Sequence, residues 1–193
     1  MRPEKAGFIL TALIILSGVR TPRLAAPLYS ASVPEKAIAV PERAEHAKLT
    51  FFVEGMEETE DVLLHVRNGY SLYVPPEGWR FDAETDGNVT VDTWQSVCNE
   101  AVRLQVVCLG ERSLAEAQAW VKERAEEFVL IEDKQGGLGG TDKADQNVLE
   151  AVFHPGEDRL YALILRYPTQ AVEGFGTRLH VLADTFGLAC AQE

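Results

Sequence analysis

The stretch Leu160-Tyr-Ala-Leu-Ile-Leu165 decides the fold class of this chain. Consecutive apolar side chains in a strand project alternately to the two faces of a sheet, so both faces must be covered at this strand. A second apolar run, Val148–Phe153, precedes it across the turn signal Pro155-Gly-Glu-Asp158. We therefore predict a hairpin whose second strand, ended by Pro168, lies at the centre of a sheet covered on both sides.

Earlier in the chain, shorter alternating runs predict more hairpins. Asn68-Gly69 and Asp86-Gly87 are dipeptides that favour two-residue hairpin turns. Pro75-Pro76 ends strand pairing at its position, because proline offers no backbone N–H. A further strand is predicted over residues 102–109, with Val102, Leu104, Val106 and Cys108 on one face. Hairpins of this kind predict a mainly antiparallel sheet.

Two segments have helical periodicity instead. Ser113 and Glu116 have the spacing of a capping box and predict the start of a helix. A second apolar stripe predicts a C-terminal helix over residues 172–186, ended by Gly187. Between the helices, Phe128–Ile131 is predicted as a buried strand. The fold class is therefore α+β, with a mainly antiparallel sheet flanked by helices, in one domain that spans residues 48–193.

Two short strings carry a resemblance to a known fold. They are Tyr70-Ser-Leu-Tyr-Val-Pro-Pro-Glu-Gly-Trp79 and Tyr167-Pro-Thr-Gln-Ala-Val-Glu-Gly-Phe-Gly176. With the order of elements, they make residues 48–189 resemble the PsbP-like α/β/α sandwich and uncharacterised exported bacterial proteins of that type. The resemblance implies an exported accessory or interaction protein. It brings no catalytic motif, so no functional residue is transferred.

The N-terminus has the pattern of a targeting segment. Arg2 and Lys5 precede an uncharged run over residues 6–19, which as a helix is about 21 Å long and too short to cross a bilayer core. We predict that residues 1–32 are a cleaved signal peptide or an uncleaved membrane anchor, and that residues 33–47 are a linker. Positive charges directly after the run disfavour clean cleavage, and a buried cytosolic helix stays open as a third interpretation.

Charge and cysteine content limit the function classes. A net charge of −12 repels phosphate backbones, so we expect no nucleic-acid partner and no membrane contact beyond the N-terminal segment. A basic protein partner or a divalent cation is compatible with this charge. Cys98, Cys108 and Cys190 are too few for a disulfide scaffold and lack zinc-ribbon spacing. We expect them in the core, with one disulfide that involves Cys190 as the alternative.

Acidic residues form two groups that could hold a cation. Asp82-Ala-Glu-Thr-Asp-Gly-Asn88 matches the first half of a calcium loop, but Thr93 stands where the bidentate glutamate is required. A solvated acidic turn is therefore favoured over a calcium site. The second group surrounds the first hairpin turn, where we expect solvated carboxylates that protect a sheet edge. Its members are Glu54, Glu57, Glu58, Glu60 and Asp61.

Glycines, histidines and aromatic residues give three further motifs. Gly136–Gly140 lacks the Lys-Ser/Thr of a phosphate loop and is predicted as a flexible or edge-strand connection. The histidines, of which His65 is expected on an outward face, have no metal-ligand spacing on one element. They are His46, His65, His154 and His180. The aromatic group near the Pro75–Trp79 corner is expected to cover the sheet, with an exposed binding site as the alternative; it consists of Tyr70, Tyr73, Trp79 and Trp94.

These observations favour an exported, non-enzymatic accessory or interaction domain that binds an envelope or extracellular protein. We predict no catalytic residue, no metal ligand and no cofactor. The alternative is a small-ligand or calcium-binding module that uses the loop Asp82–Asn88. A hydrolase whose triad is assembled only by tertiary folding is a third hypothesis.

Overall fold

Residues 43–188 are described by a computed structural model, and they contain eleven β-strands and two α-helices. The strands are β1 His46–Val53, β2 Met56–Arg67, β3 Tyr70–Val74, β4 Trp79–Asp86, β5 Val89–Ser96, β6 Arg103–Cys108, β7 Phe128–Glu132, β8 Leu138–Asp142, β9 Asn147–Pro155, β10 Leu160–Pro168 and β11 Gly187–Leu188. The helices are α1 Leu114–Arg124 and α2 Thr177–Asp184. The predicted segment 1–32, most of the linker 33–47 and Cys190 lie outside the described residues.

The strands form two antiparallel sheets. The large sheet has the order β4-β5-β6-β10-β9-β8-β7, and the small sheet has the order β1-β2-β3-β11. β10 lies at the middle of the large sheet, between β6 and β9, and its residues from Leu160 to Leu165 are all buried. The prediction of a central strand covered on both faces is confirmed.

Different layers cover the two faces of the large sheet. One face packs on α1, with Ala117 and Val121 of the helix against Val107, Ala162 and other apolar residues. The opposite face packs on the small sheet and on α2, where Leu179 and Leu182 are fully buried. Two apolar cores therefore lie on either side of β10, which explains why its sequence has no polar face.

The prediction of a mainly antiparallel sheet is confirmed, but the prediction of an α/β/α sandwich is wrong, because a second sheet packs with α2 on one face of the large sheet. Antiparallel sheets dominate and the described residues include only two α-helices, so the fold is mainly β rather than a sheet flanked by helices. The first hairpins do not join the main sheet, because Pro75-Pro76 breaks the ladder and the strands before it form a sheet of their own. The sequence predicted this break but not the second sheet that follows from it.

The C-terminal helix is also shorter than predicted. Residues 169–171 form a 3₁₀ turn and residues 172–176 a π-helical turn, so regular α-helix begins only at Thr177. Gly187 does not simply end the helix; it starts β11, which pairs with Ser71 and Tyr70 of β3. The chain after α2 thus completes the small sheet.

Helix α1 begins as its sequence predicts. The Ser113 side chain accepts a hydrogen bond from the backbone N–H of Glu116, and the Glu116 carboxylate accepts one from the backbone N–H of Ser113. The capping box satisfies two N–H groups that have no partner within the helix. In the part of the chain described, no helix is both long and apolar enough to span a bilayer.

Candidate functional site

A buried carboxylate, Asp92, joins the two sheets. Its Oδ2 atom accepts hydrogen bonds from the Tyr70 hydroxyl at 2.6 Å and from Nε of Arg67 at 3.0 Å. Asp92 belongs to β5 of the large sheet, whereas Tyr70 and Arg67 belong to the small sheet. Its Oδ1 atom makes no hydrogen bond within residues 43–188. Burial, with the hydrogen bond and the charge of Asp92, raises the pKa of Tyr70 above its usual value of 10.0.

His65 of β2 does not lie on an outward face, contrary to the prediction. The His65 ring contacts the buried Trp94 ring edge to face at 5.6 Å between centroids, and Arg67 binds Asp92. The next residue, Val66, is 61% exposed. The reason is tertiary, because Asp92 supplies a buried counter-charge that the pattern of β2 alone does not contain. Burial, and then the nearby Arg67 charge, lower the pKa of His65.

A second polar cluster lies between α2 and the large sheet. The Tyr167 hydroxyl donates a hydrogen bond to Oε1 of Glu150 at 2.5 Å, and Nε2 of His180 lies 3.2 Å from Oε2 of the same carboxylate. Burial opposes a charge on His180, but the hydrogen bond and the charge of Glu150, with Asp184, raise its pKa above 6.5. Burial likewise disfavours the charge on Glu150, yet its partners His180 and Tyr167 lower its pKa overall. Glu150 therefore binds both Tyr167 and His180, and the three side chains form one buried polar cluster.

His154 is the third buried polar group. It lies at the end of β9 with its ring against Phe186, at 4.7 Å between centroids. Its Nε2 atom is buried and has no hydrogen-bond partner in the described region. Burial therefore lowers its pKa to about 4, so this imidazole is neutral over most of the physiological range.

The acidic segment Asp82–Asn88 does not form a calcium loop. Residues up to Asp86 belong to β4, and Asp82, Glu84 and Asp86 lie on an extended, exposed strand. Alternate side chains on a strand are about 7 Å apart along one face, so they do not converge on one ion. No group of histidine, cysteine or acidic side chains within residues 43–188 is arranged to hold a metal ion.

The acidic residues near the first turn are only partly solvated. Glu58 and Glu60 bind Arg178 of α2, whose guanidinium also lies 5.2 Å from the centre of the Phe51 ring. Asp61 forms an exposed pair with Lys48 at 3.5 Å. Glu58 and Glu60 therefore fasten α2 to the first hairpin, a role that sequence spacing does not reveal.

The aromatic group covers the sheet, as expected. Tyr70, Tyr73 and Trp94 are buried, and Trp79 is half-buried beside the main core. Cys108 is a core residue, whereas Cys98 is exposed and free. The expectation that the cysteines lie in the core is therefore wrong for Cys98.

The large sheet has one apolar edge that is open to solvent. β7 pairs with β8 on one side, and no strand pairs with its other side among the described residues. Val129 is 60% exposed and Ile131 is 65% exposed, which contradicts the prediction of a buried strand. Alternation explains this result, because only Phe128 and Leu130 face the core under α1.

The glycine-rich segment builds the strand next to this edge. Leu138–Asp142 forms β8, an inner strand and not a flexible connection or an edge. A Cβ atom on Gly140 would clash with the carbonyl oxygen of Val129, whereas one on Gly139 would meet nothing within 4 Å. Gly140 is needed for the close approach of β7, and Gly139 leaves open space beside Ile131.

Sequence reasoning missed Asp92, Glu150 and the β7 edge. A signal for the two carboxylates exists, since each is the single acidic residue in an otherwise apolar or neutral strand segment, Val89–Trp94 and Val148–Phe153. Such a residue is either exposed or bound to a buried partner. Nothing in the sequence shows which strand forms an edge.

A solved structure is similar to part of this chain. The chain is similar to the solution structure of cyanobacterial PsbP (CyanoP) from Synechocystis sp. PCC 6803, with 12% sequence identity and a TM-score of 0.49. The match covers 66% of this chain and 92% of that chain. It agrees with the PsbP-like resemblance predicted from the sequence, concerns the fold alone and assigns no site or partner. No protein-family model and no curated protein matches this chain.

Proposed function

We propose that this chain is an exported, non-enzymatic accessory domain that binds a protein partner through the edge strand β7. The observation that supports this proposal is the exposure of Val129 and Ile131 on a strand that, among residues 43–188, pairs only with β8. Exposed apolar side chains on an open sheet edge are disfavoured by water and can pair with another chain. Exposed apolar patches of this kind mark sites of interaction with other proteins.

The opposite edge of the same sheet provides an internal comparison. β4 carries Arg80, Asp82, Glu84 and Asp86 along its exposed length, and charged residues on an edge strand oppose pairing with other chains. From Phe128 to Ile131, β7 has no charged residue. The domain therefore protects one edge and leaves the other open, which favours β7 over β4 as the interaction surface.

The buried polar clusters support a non-enzymatic role. Asp92, Glu150 and His180 are each bound to side chains of another element, so they contribute to assembly of the domain. Strong pKa shifts alone do not define an active site, because structural polar pairs produce them too.

Photo-crosslinking in the native cell tests the proposed surface. Benzoylphenylalanine replaces Ile131 in the full chain, and a matched variant carries it at Glu84 on the protected edge. We expect a discrete protein adduct from position 131 and none from position 84. Equal adducts from both positions, or none from 131, would contradict the proposal.

Export is tested separately by the mass of the native protein. A soluble mature chain that begins near residue 33 supports secretion with cleavage. A mass that retains residues 1–32, in a protein that sediments with membranes, supports a tethered domain. A full-length chain in the cytosol would contradict export in either form.

A further inference from the structure

The hydrogen-bond register of β7 defines which of its backbone groups face outward. The N–H of Lys143 donates to the carbonyl of Glu127, and the N–H of Asp133 donates to the carbonyl of Gly137. In an antiparallel pair, alternate residues turn both backbone groups to the partner strand and the residues between them turn both groups away. Leu130 and Glu132 therefore direct their N–H and C=O groups away from β8, to the side of β7 on which no strand pairs in the part of the chain described.

Val129 and Ile131 form an exposed apolar patch at this edge. Val129 and Ile131 stand on the face of the sheet that carries Gly139 of the next strand, where a side chain at Gly139 would meet open space. A strand added beside β7 would place its alternate side chains next to Val129 and Ile131. Small or branched apolar side chains at those positions would cover the exposed apolar area.

The charges around the edge restrict the partner. Glu126 precedes β7 and Glu132 ends it, and both side chains are exposed. Neither forms a salt bridge in the part of the chain described. Glu127, in contrast, pairs with Arg166 at 3.3 Å. An incoming strand with Lys or Arg at its ends would meet opposite charge at both ends of β7. A second copy of this chain has the same acidic ends and the same net charge of −12, so self-pairing is disfavoured.

Building on the proposed function, we propose that β7 binds its partner by strand addition, and that the partner segment is extended, alternates apolar and polar residues and carries basic residues at both ends. Backbone hydrogen bonds to Leu130 and Glu132 provide affinity. The apolar patch of Val129 and Ile131, with the acidic residues at the two ends of β7, provides selectivity. This assigns the chemistry of the partner, which the crosslinking experiment above does not address.

The probe is the synthetic peptide Lys-Lys-Thr-Val-Thr-Val-Thr-Lys-Lys, added at millimolar concentration to the isotope-labelled full chain. We expect amide hydrogen exchange at Leu130 and Glu132 to slow by about tenfold or more, with little change along β4. A peptide with the same sequence but N-methylated at every central threonine and valine has no N–H donor on either edge of its central part and is expected to give no protection. A version with glutamate in place of every lysine is expected to bind at least about tenfold more weakly.

A pair of proline variants tests the same register in the protein. Glu132→Pro removes an outward N–H from β7, and Thr85→Pro is the matched control on the exposed edge strand β4. Because outward-facing edge positions tolerate proline, both variants are expected to fold, which their melting temperatures check. Only Glu132→Pro is expected to abolish the peptide-induced protection at Leu130, and Glu132→Gln separates the contribution of the charge.

Three results would overturn strand addition. The first is no protection of Leu130 and Glu132 by the basic peptide, and the second is equal protection by the N-methylated peptide. The third is protection without peptide that grows with protein concentration, which would identify a second copy as the occupant. If a crosslinked partner at position 131 is found while these tests fail, the proposed function stands and only the mode of binding is wrong.

Discussion

Nε2 of His180 lies 3.2 Å from Oε2 of Glu150, and this contact joins α2 to β9 of the large sheet. Tyr167 binds the other oxygen of the same carboxylate. One acidic residue in an apolar strand thus holds a helix and a neighbouring strand together. The contact depends on the protonation of His180, so it makes stability depend on pH.

The first prediction concerns that pH dependence. The pKa of His180 is raised in the folded state, so its pair with Glu150 contributes full stability below the unfolded pKa of about 6.5 and loses it as pH rises through the folded value. Glu150→Gln is expected to lower the pKa of His180 and to cost about 1–3 kcal/mol near pH 6. Histidine NMR titration and urea unfolding measure both effects. An unchanged pKa in the variant would contradict the assignment.

The second prediction concerns acid unfolding. The pKa of His154 is lowered to about 4, so stability is full above about pH 6.5 and is lost as pH falls from there toward 4, by roughly 3 kcal/mol in total. His154→Phe keeps a ring against Phe186 and removes the titrating group. The stability difference between the variant and the natural chain should grow by that amount across this range. A difference that stays constant with pH would show that His154 titrates normally.

The third prediction concerns the junction between the sheets. Asp92→Ala leaves the buried Tyr70 hydroxyl without an acceptor and is expected to cost about 1–3 kcal/mol. Arg67 is 41% exposed, so water solvates its charge in the variant. Tyr70→Phe removes one hydrogen bond and is expected to cost about 1–2 kcal/mol. A double-mutant cycle in urea should give a coupling of about 1 kcal/mol or more. Additive effects would mean that the two side chains do not interact.

The fourth prediction uses two adjacent glycines of β8. Gly140→Ala puts a Cβ atom against the Val129 carbonyl oxygen, so β7 must move away, at a cost of about 2–4 kcal/mol. Gly139→Ala meets open space and is expected to change stability by less than about 1 kcal/mol. Thermal unfolding compares the pair, and hydrogen exchange should show loss of protection along β7 only in Gly140→Ala. Equal effects of the two substitutions would contradict the close approach at Gly140.

Local patterns of sequence predicted the parts of the fold that depend on near neighbours. The turns at Asn68-Gly69 and Asp86-Gly87, the capping box at Ser113 and the central position of Leu160–Leu165 are confirmed. Each depends on backbone preferences or on the number of apolar faces, which residues within one element determine.

The errors share a different origin. β7 was predicted as buried and β8 as a connection, yet β7 is an exposed edge and β8 an inner strand. The amino-acid composition of a short segment can indicate that it forms a strand, but it does not indicate how many neighbouring strands pair with it. The outward face predicted for His65 is wrong for a similar reason, since Trp94, the ring that it contacts across the sheets, is distant in sequence.

The hairpins, the central strand, the helix start and the acidic surface can be inferred from the amino-acid pattern, because they follow from short-range preferences and composition. The separation of the strands into two sheets, the partners of Asp92 and Glu150, and the unpaired side of β7 among the described residues become visible only in the folded chain. These features depend on contacts between residues far apart in the chain, and such contacts exist only once the layers have packed.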